Sequence, residues 1–203
     1  RIRLTLSKTQ INELYVFDKD MELVWRRKDS FSFRGAGPRD NRYLVDETGN
    51  ITVLSMLKQE SLLNMNKEVK NSYVIYRYTH EGNLFKEYPF TLPGKYIRGI
   101  KVVAGDRGEL YCAGMYSNML IRGVAGTFFF KIDEETGAIT NNNTFSFEPS
   151  LLAEMEEMKD PVIDDEELMN YVVSDMVLRS NNHIVMIAEQ VFTQTYKTYN
   201  NII

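Results

Sequence analysis

Acidic side chains are the densest candidates for chemistry in this 203-residue chain. Glu154, Glu156, Glu157, Asp160, Asp164, Asp165, Glu166 and Glu167 crowd into one short segment. Such a run can bind Ca²⁺ or offer a negative face to a partner, but the EF-hand ligand order around a central glycine is missing. The plainer expectation is a solvated acidic surface. A second candidate is "SFRGAGPRDNR" at 32–42, which sets Arg34, Arg39 and Arg42 around Gly35 and Gly37. Guanidinium groups on a glycine-rich loop can hold a carboxylate or a phosphate. No strand–loop–helix pattern accompanies them, so this is no P-loop. The competing reading is a connection whose arginines pair with nearby carboxylates or carbonyls.

A third candidate is "GMYSNMLIRGVAGTFFF" at 114–130, read as a connecting loop. There Met115 and Tyr116, with Met119 and Leu120, would form an apolar lip over a ligand or partner, unless they pack locally. His80 and His183 fall at expected turns, too few and too distant for a zinc site. No metal or cofactor site is assigned. HExxH, GxSxG and DxDxDG are absent, so no catalytic residue is assigned either. Glycosylation sequons occur at Asn50 and Asn142, a match that matters only in a eukaryotic secretory setting.

The elements that must position these residues read as hairpins. Six stretches, 13–25, 42–57, 72–90, 97–116, 126–147 and 171–192, each show two period-2 apolar runs around a polar turn. Gly, Asn and Asp gather at the turns because those positions often need a positive φ. Two kinds of hairpin alternate. One is apolar on both sides, as in "GNITVLSM" (49–56), "GELYCAGM" (108–115) and "NHIVMIAE" (182–189), and is expected to be buried on both faces. The other runs from aromatic to polar to a D/E-x-G turn, as in "YRYTHEGNL" and "FKIDEETGAI". Leu23, Leu84 and Ile139 recur at spacings of 61 and 55, and Gly49 and Gly108 lie 59 apart.

Two hairpins per repeat make a four-stranded antiparallel sheet, and sheets arranged radially make a propeller. The expected fold is therefore all-β: one propeller-like domain over 1–203, with blades at roughly 1–28 (partial), 41–90, 97–147 and 171–203 (partial). The runner-up is a β-sandwich or an irregular meander. An acidic α-helical insertion near 150–170 interrupts the pattern. Ser150 is its expected cap, Leu151, Leu152, Met155 and Met158 follow helical spacing, and Pro161 is its stop. In the third inner copy, Glu189 stands where Met56 and Met115 stand in the others. That makes it the first inner-strand residue to test for a polar task, against the plainer reading of a salt bridge.

Composition narrows the classes. With 43% hydrophobic residues the chain can bury a sizeable core. A net charge of −4 argues against a nucleic-acid partner. Cys112 is the sole cysteine, which excludes an internal disulfide, and it reads as a small buried hydrophobe. No apolar run approaches the ~20 residues of a membrane span. The N-terminal stretch "RIRLTLSKTQ" has no signal-peptide character, and both ends read as cut from something longer.

The stretches 114–117, 125–137 and 182–190, with their "GMYS" strand end, "AGTFFFKIDEETG" hairpin and "NHIVMIAEQ" strand, resemble a largely uncharacterised family of propeller-like proteins of Bacteroidetes bacteria, often exported. The resemblance covers the C-terminal half. It implies a propeller, a periplasmic or cell-surface setting and no assigned enzymatic activity. The functional expectation is a non-enzymatic binding or scaffold module for a protein partner, in an outer-membrane or periplasmic assembly. One alternative is a propeller lyase or hydrolase with a metal at the channel mouth, using Asp46, Asp106, Glu109 and Glu189. Another is glycan binding by exposed Tyr residues and Trp25.

Overall fold

The computed structural model describes residues 7–34, 42–58, 71–119, 123–157, 167–181 and 183–191. The chain is all-β apart from one helix among these residues. Strands β1 (Ser7–Phe17) and β2 (Leu23–Arg34) form sheet I. Sheet II is the antiparallel meander β3 (Arg42–Val45), β4 (Ile51–Lys58), β5 (Asn71–Tyr78) and β6 (Leu84–Phe90). Sheet III repeats it with β7 (Tyr96–Ala104), β8 (Leu110–Ser117), β9 (Gly126–Ile132) and β10 (Ile139–Ser146). Helix α1 (Pro149–Glu157) precedes sheet IV, formed by β11 (Tyr171–Leu178) and β12 (Ile184–Gln190).

One turn chemistry builds most of the hairpins. In the β3–β4 turn the Asp46 N–H donates to the Asn50 carbonyl, and the Gly49 N–H returns to the Asp46 carbonyl. The same pair of bonds recurs at Thr79–Asn83 with Gly82, and at Gly105–Glu109 with Gly108. Gly49, Gly82 and Gly108 adopt φ of 83°, 82° and 81°, the left-handed residue that follows a type I turn in such hairpins. The β1–β2 turn has the same bonds, but Met21 takes the left-handed place with φ 64°. Where the turn opens with Asp18 or Asp46, its carboxylate also caps the N–H groups two and four residues on.

The sheets stack in chain order. Leu14, Val16 and Trp25 of sheet I pack on Ile51, Val53, Val74 and Tyr76 of sheet II. The largest core lies between sheets II and III, where Ile75, Tyr88 and Phe90 meet Cys112, Phe128 and Phe130. Met115 and Val124 of sheet III then pack against Val173, Met186 and Ala188 of sheet IV. An interior strand covered on both sides shows no alternation: Ile51–Ser55 of β4 and all of β8 are buried. Cys112 is fully buried, and burial pushes its thiol pKa up.

Two expectations fail for identifiable reasons. "NHIVMIAE" is not buried on both faces. β12 alternates, with Val185, Ile187 and Glu189 exposed, because among the described residues sheet IV packs only against sheet III. Ser150 does not cap α1. Pro149 takes the first helical position, where its missing N–H costs nothing, and Ser150 lies inside the first turn. α1 ends at Glu157; Met158, Asp160, Pro161, Asp164, Asp165 and Glu166 lie outside the described residues. Among the described residues no helix is long and apolar enough to cross a membrane.

Candidate functional site

The first strands of sheets II, III and IV converge on one cleft. β3, β7 and β11 occupy the same place in their sheets, and their turns align through Asp46, Gly105 and Arg179, whose N–H groups each bond to the carbonyl four residues on. Two cavities of about 600 and 370 Å³ run along them. Leu44, Val103 and Met176 line both, so the two form one continuous cleft with an apolar waist.

The strand end of the cleft carries Lys101 on β7 and Asp175 on β11. Among the described ion pairs neither takes part. A β-bulge between Val173 and Asp175 re-aims the strand there, and the Asp175 carboxylate accepts the N–H of Met176 at 2.8 Å. Tyr43, 56% exposed, adds an aromatic ring with a hydroxyl. The turn end is acidic, lined by Asp46, Glu47 and Asp106.

Asp46 is committed to the fold. Its carboxylate accepts from Thr48, from the Asn50 backbone and side chain, and from Arg77 at 3.0 Å. Burial acts to raise its pKa, but these bonds outweigh burial and hold it below the ordinary aspartate value. Arg77 is 2% exposed on β5 and also meets Glu134 of sheet III at 3.3 Å and the Gly108 carbonyl. Three turns from two sheets thus close on one guanidinium.

The other candidates disperse. Met115 and Tyr116 belong to β8, not to a loop, and are 4% and 0% exposed. They form no lip. Met119 is half-buried, and its carbonyl accepts from Arg98 and Ser117; Leu120 lies outside the described residues. Arg34 closes β2 and Arg42 opens β3, while 35–41, with Arg39, lies outside the described residues. Glu109 accepts from the Tyr111 hydroxyl and pairs with Lys131 at 3.5 Å. Burial acts to raise its pKa, but hydrogen bonds, the Tyr111 bond among them, together with the Lys131 charge outweigh burial and hold it below the ordinary glutamate value. Glu189 is exposed on β12. Asp46, Asp106, Glu109 and Glu189 therefore do not assemble, and among the described residues no group of three metal-ligating side chains forms. His80 and His183 are exposed at turns. Trp25 is half-buried, its indole N–H held by the His80 carbonyl at 2.8 Å.

Among the described residues two buried charges carry no local sequence signal. Arg77 is one. Glu167 is the other, the last member of an acidic run expected to be solvated. It is 1% exposed and accepts from the Ser117 hydroxyl and the Asn118 N–H, both at 2.7 Å. Gly123, at φ 85°, leaves the space its carboxylate occupies. The only sequence signal was position: Glu167 abuts Leu168, which pairs with Val124 as an isolated β-bridge. No protein-family profile matches the chain, and no curated protein or solved structure is significantly similar to it.

Proposed function

We propose that this chain is a non-enzymatic binding module whose sheets act as propeller-like blades, and that the cleft along β3, β7 and β11 receives a protein partner. One observation carries the reading: the equivalent strands of three successive sheets line a single cleft. Its apolar waist and exposed Tyr43, with charged side chains toward either end, fit the apolar core and polar rim of a protein interface. Radially placed sheets present their inner strands to a common channel, and loops at its mouth carry recognition on a rigid frame. A periplasmic or cell-surface assembly in a Bacteroidetes-like bacterium remains the proposed setting, resting on the resemblance of the C-terminal stretches.

The test is affinity capture from an extract of the native cell after mild lysis, with the wild-type chain and the variant Lys101→Glu/Asp106→Lys side by side. Both substitutions lie at the cleft and outside the buried core. A protein held by the wild type and lost by the variant is the expected result. The same proteins on both, or none on either, overturns the reading.

A further inference from the structure

The cleft meets strand edges rather than sheet faces. A strand that shows a face to a cavity lines it with every second residue, because successive side chains point to opposite sides. Here the end of β7 and its turn line the cleft without a gap, six residues in a row from Lys101 to Asp106. Burial agrees. Lys101, Val102, Val103 and Ala104 are all half-buried, with no alternation, beside a β8 that is buried throughout. Among the described residues β7 pairs with β8 alone. Its other edge lies on the open space of the cleft.

The turn fixes which backbone groups occupy that edge. The Gly105 N–H donates to the Glu109 carbonyl, so Gly105 turns its polar groups into the ladder. Residues of an antiparallel strand alternate between bonding to the partner strand and pointing away from it. Lys101 and Val103 therefore bond toward β8, while Val102 and Ala104 point their N–H and C=O groups into the cleft. The same phase turns Met176 of β11 outward, since Arg179 bonds to His183 as Gly105 does to Glu109. There the position is closed: the Asp175 carboxylate takes the Met176 N–H, beside the bulge. No such cap stands at Val102 or Ala104. β3, the third strand on the cleft, is only four residues long, against nine for β7. The protein thus blunts one edge, shortens another and leaves the longest one open, against the usual rule that exposed edges are protected.

We propose that the partner enters the cleft as an extended segment and adds to the four-stranded sheet III as one more strand beside β7, its backbone bonding to Val102 and Ala104. This binding mode rests on the reading of the cleft as a protein-binding site. Main-chain bonds hold such a strand, and its alternate side chains select it. Val102 and Ala104 pack toward the core between sheets II and III. Lys101 and Val103 share the other face with Gly99, which lies against Val173 of sheet IV. The added strand follows the same alternation. One set of its side chains meets Leu44 and the other Met176, both on the apolar waist. The turn end selects by charge. Asp46 is paired with Arg77 there, but Glu47 and Asp106 join none of the described ion pairs, and no cationic side chain lines that end. The matching segment is therefore apolar through the waist and carries lysine or arginine where it reaches Asp106.

The probe is a display library of random linear peptides, selected on the immobilised full chain. Enriched peptides are expected to hold an apolar stretch next to a lysine or arginine. In amide exchange followed by NMR, such a peptide is expected to slow Val102 and Ala104 and leave Val103, already in the ladder, unchanged. Methylating the peptide's backbone nitrogens at alternate positions is expected to weaken binding about tenfold or more in one phase and little in the other. Ala104→Pro removes an outward N–H and no ladder bond, the place where an edge strand tolerates proline. It is expected to weaken binding about tenfold or more, while Ala104→Gly, which keeps the N–H, binds as the wild type does. If Ala104→Pro does not fold, exchange and methylation decide on wild-type protein. No enriched peptide, or none that protects Val102 and Ala104 and depends on its own backbone N–H groups, overturns the proposal. A captured protein that needs Lys101 and Asp106 but is indifferent to Ala104→Pro leaves the cleft as the partner's site and sinks the added strand alone.

Discussion

Arg77 sits almost wholly buried between Asp46 at 3.0 Å and Glu134 at 3.3 Å, carboxylates borne on turns of different sheets. Desolvating three charges is costly, and only the full set of partners offsets it. Arg77→Met strands two carboxylates and is expected to destabilise the fold by about 3 kcal/mol in urea titration, the lower end of the range for a broken buried pair. The same site sets a pH dependence. Asp46 titrates below the ordinary aspartate value when folded, so the unfolded chain takes up its proton first. Its contribution is complete above the unfolded value and is lost as pH falls through the folded one. Urea midpoints between about pH 6 and pH 3 are expected to drop, and Asp46→Asn to flatten that acid limb. Met21 is the opposite case, an exposed non-glycine residue at φ 64°. The left-handed region costs a side chain roughly 1–2 kcal/mol. Met21→Gly gives part of that back to unfolded-state entropy, so a net gain of about 0.5 kcal/mol is expected from thermal melts.

At the scale of elements, Glu167 ties the chain leaving the acidic segment to the end of β8 through Ser117 and Asn118. Glu167→Gln keeps the shape and removes the charge. A loss of about 1–2 kcal/mol is expected, with faster proteolysis near Leu168 than near β8. The hairpins around this latch were legible because strand alternation and turn glycine are local signals: "DETGN", "THEGN" and "GDRGE" each specify their own turn. Glu167 and Arg77 were not legible, because a charge is buried or solvated according to partners dozens of residues away, Ser117 in one case and Gly108 and Glu134 in the other. "NHIVMIAE" misled for a related reason. An apolar run reads the same whether a strand is buried throughout, as β8 is, or on alternate residues, as β12 is. Met115 and Tyr116 were misplaced by the glycines around them, although Gly114 lies inside β8, where a side chain would strike the Gly99 carbonyl.

Across the whole molecule, buried apolar packing is graded along the stack. The cluster between sheets II and III is the largest of the three and is continuous across both sheets, while sheet I is anchored mainly by Leu14, Val16 and Trp25, all half-buried. Local opening follows buried apolar contact, so sheets I and IV are expected to open at lower free energy than β4, β5, β8 and β9. Hydrogen exchange on the full chain reads this directly. Ile75→Ala, a fully buried position in the main core, is expected to cost about 3 kcal/mol and to speed exchange throughout. Val16→Ala is expected to speed exchange in β1–β2 and leave β8 unchanged. Uniform acceleration by both variants would mean that the four sheets unfold as one unit. A graded response would mean that the middle sheets hold the frame while the end sheets open independently.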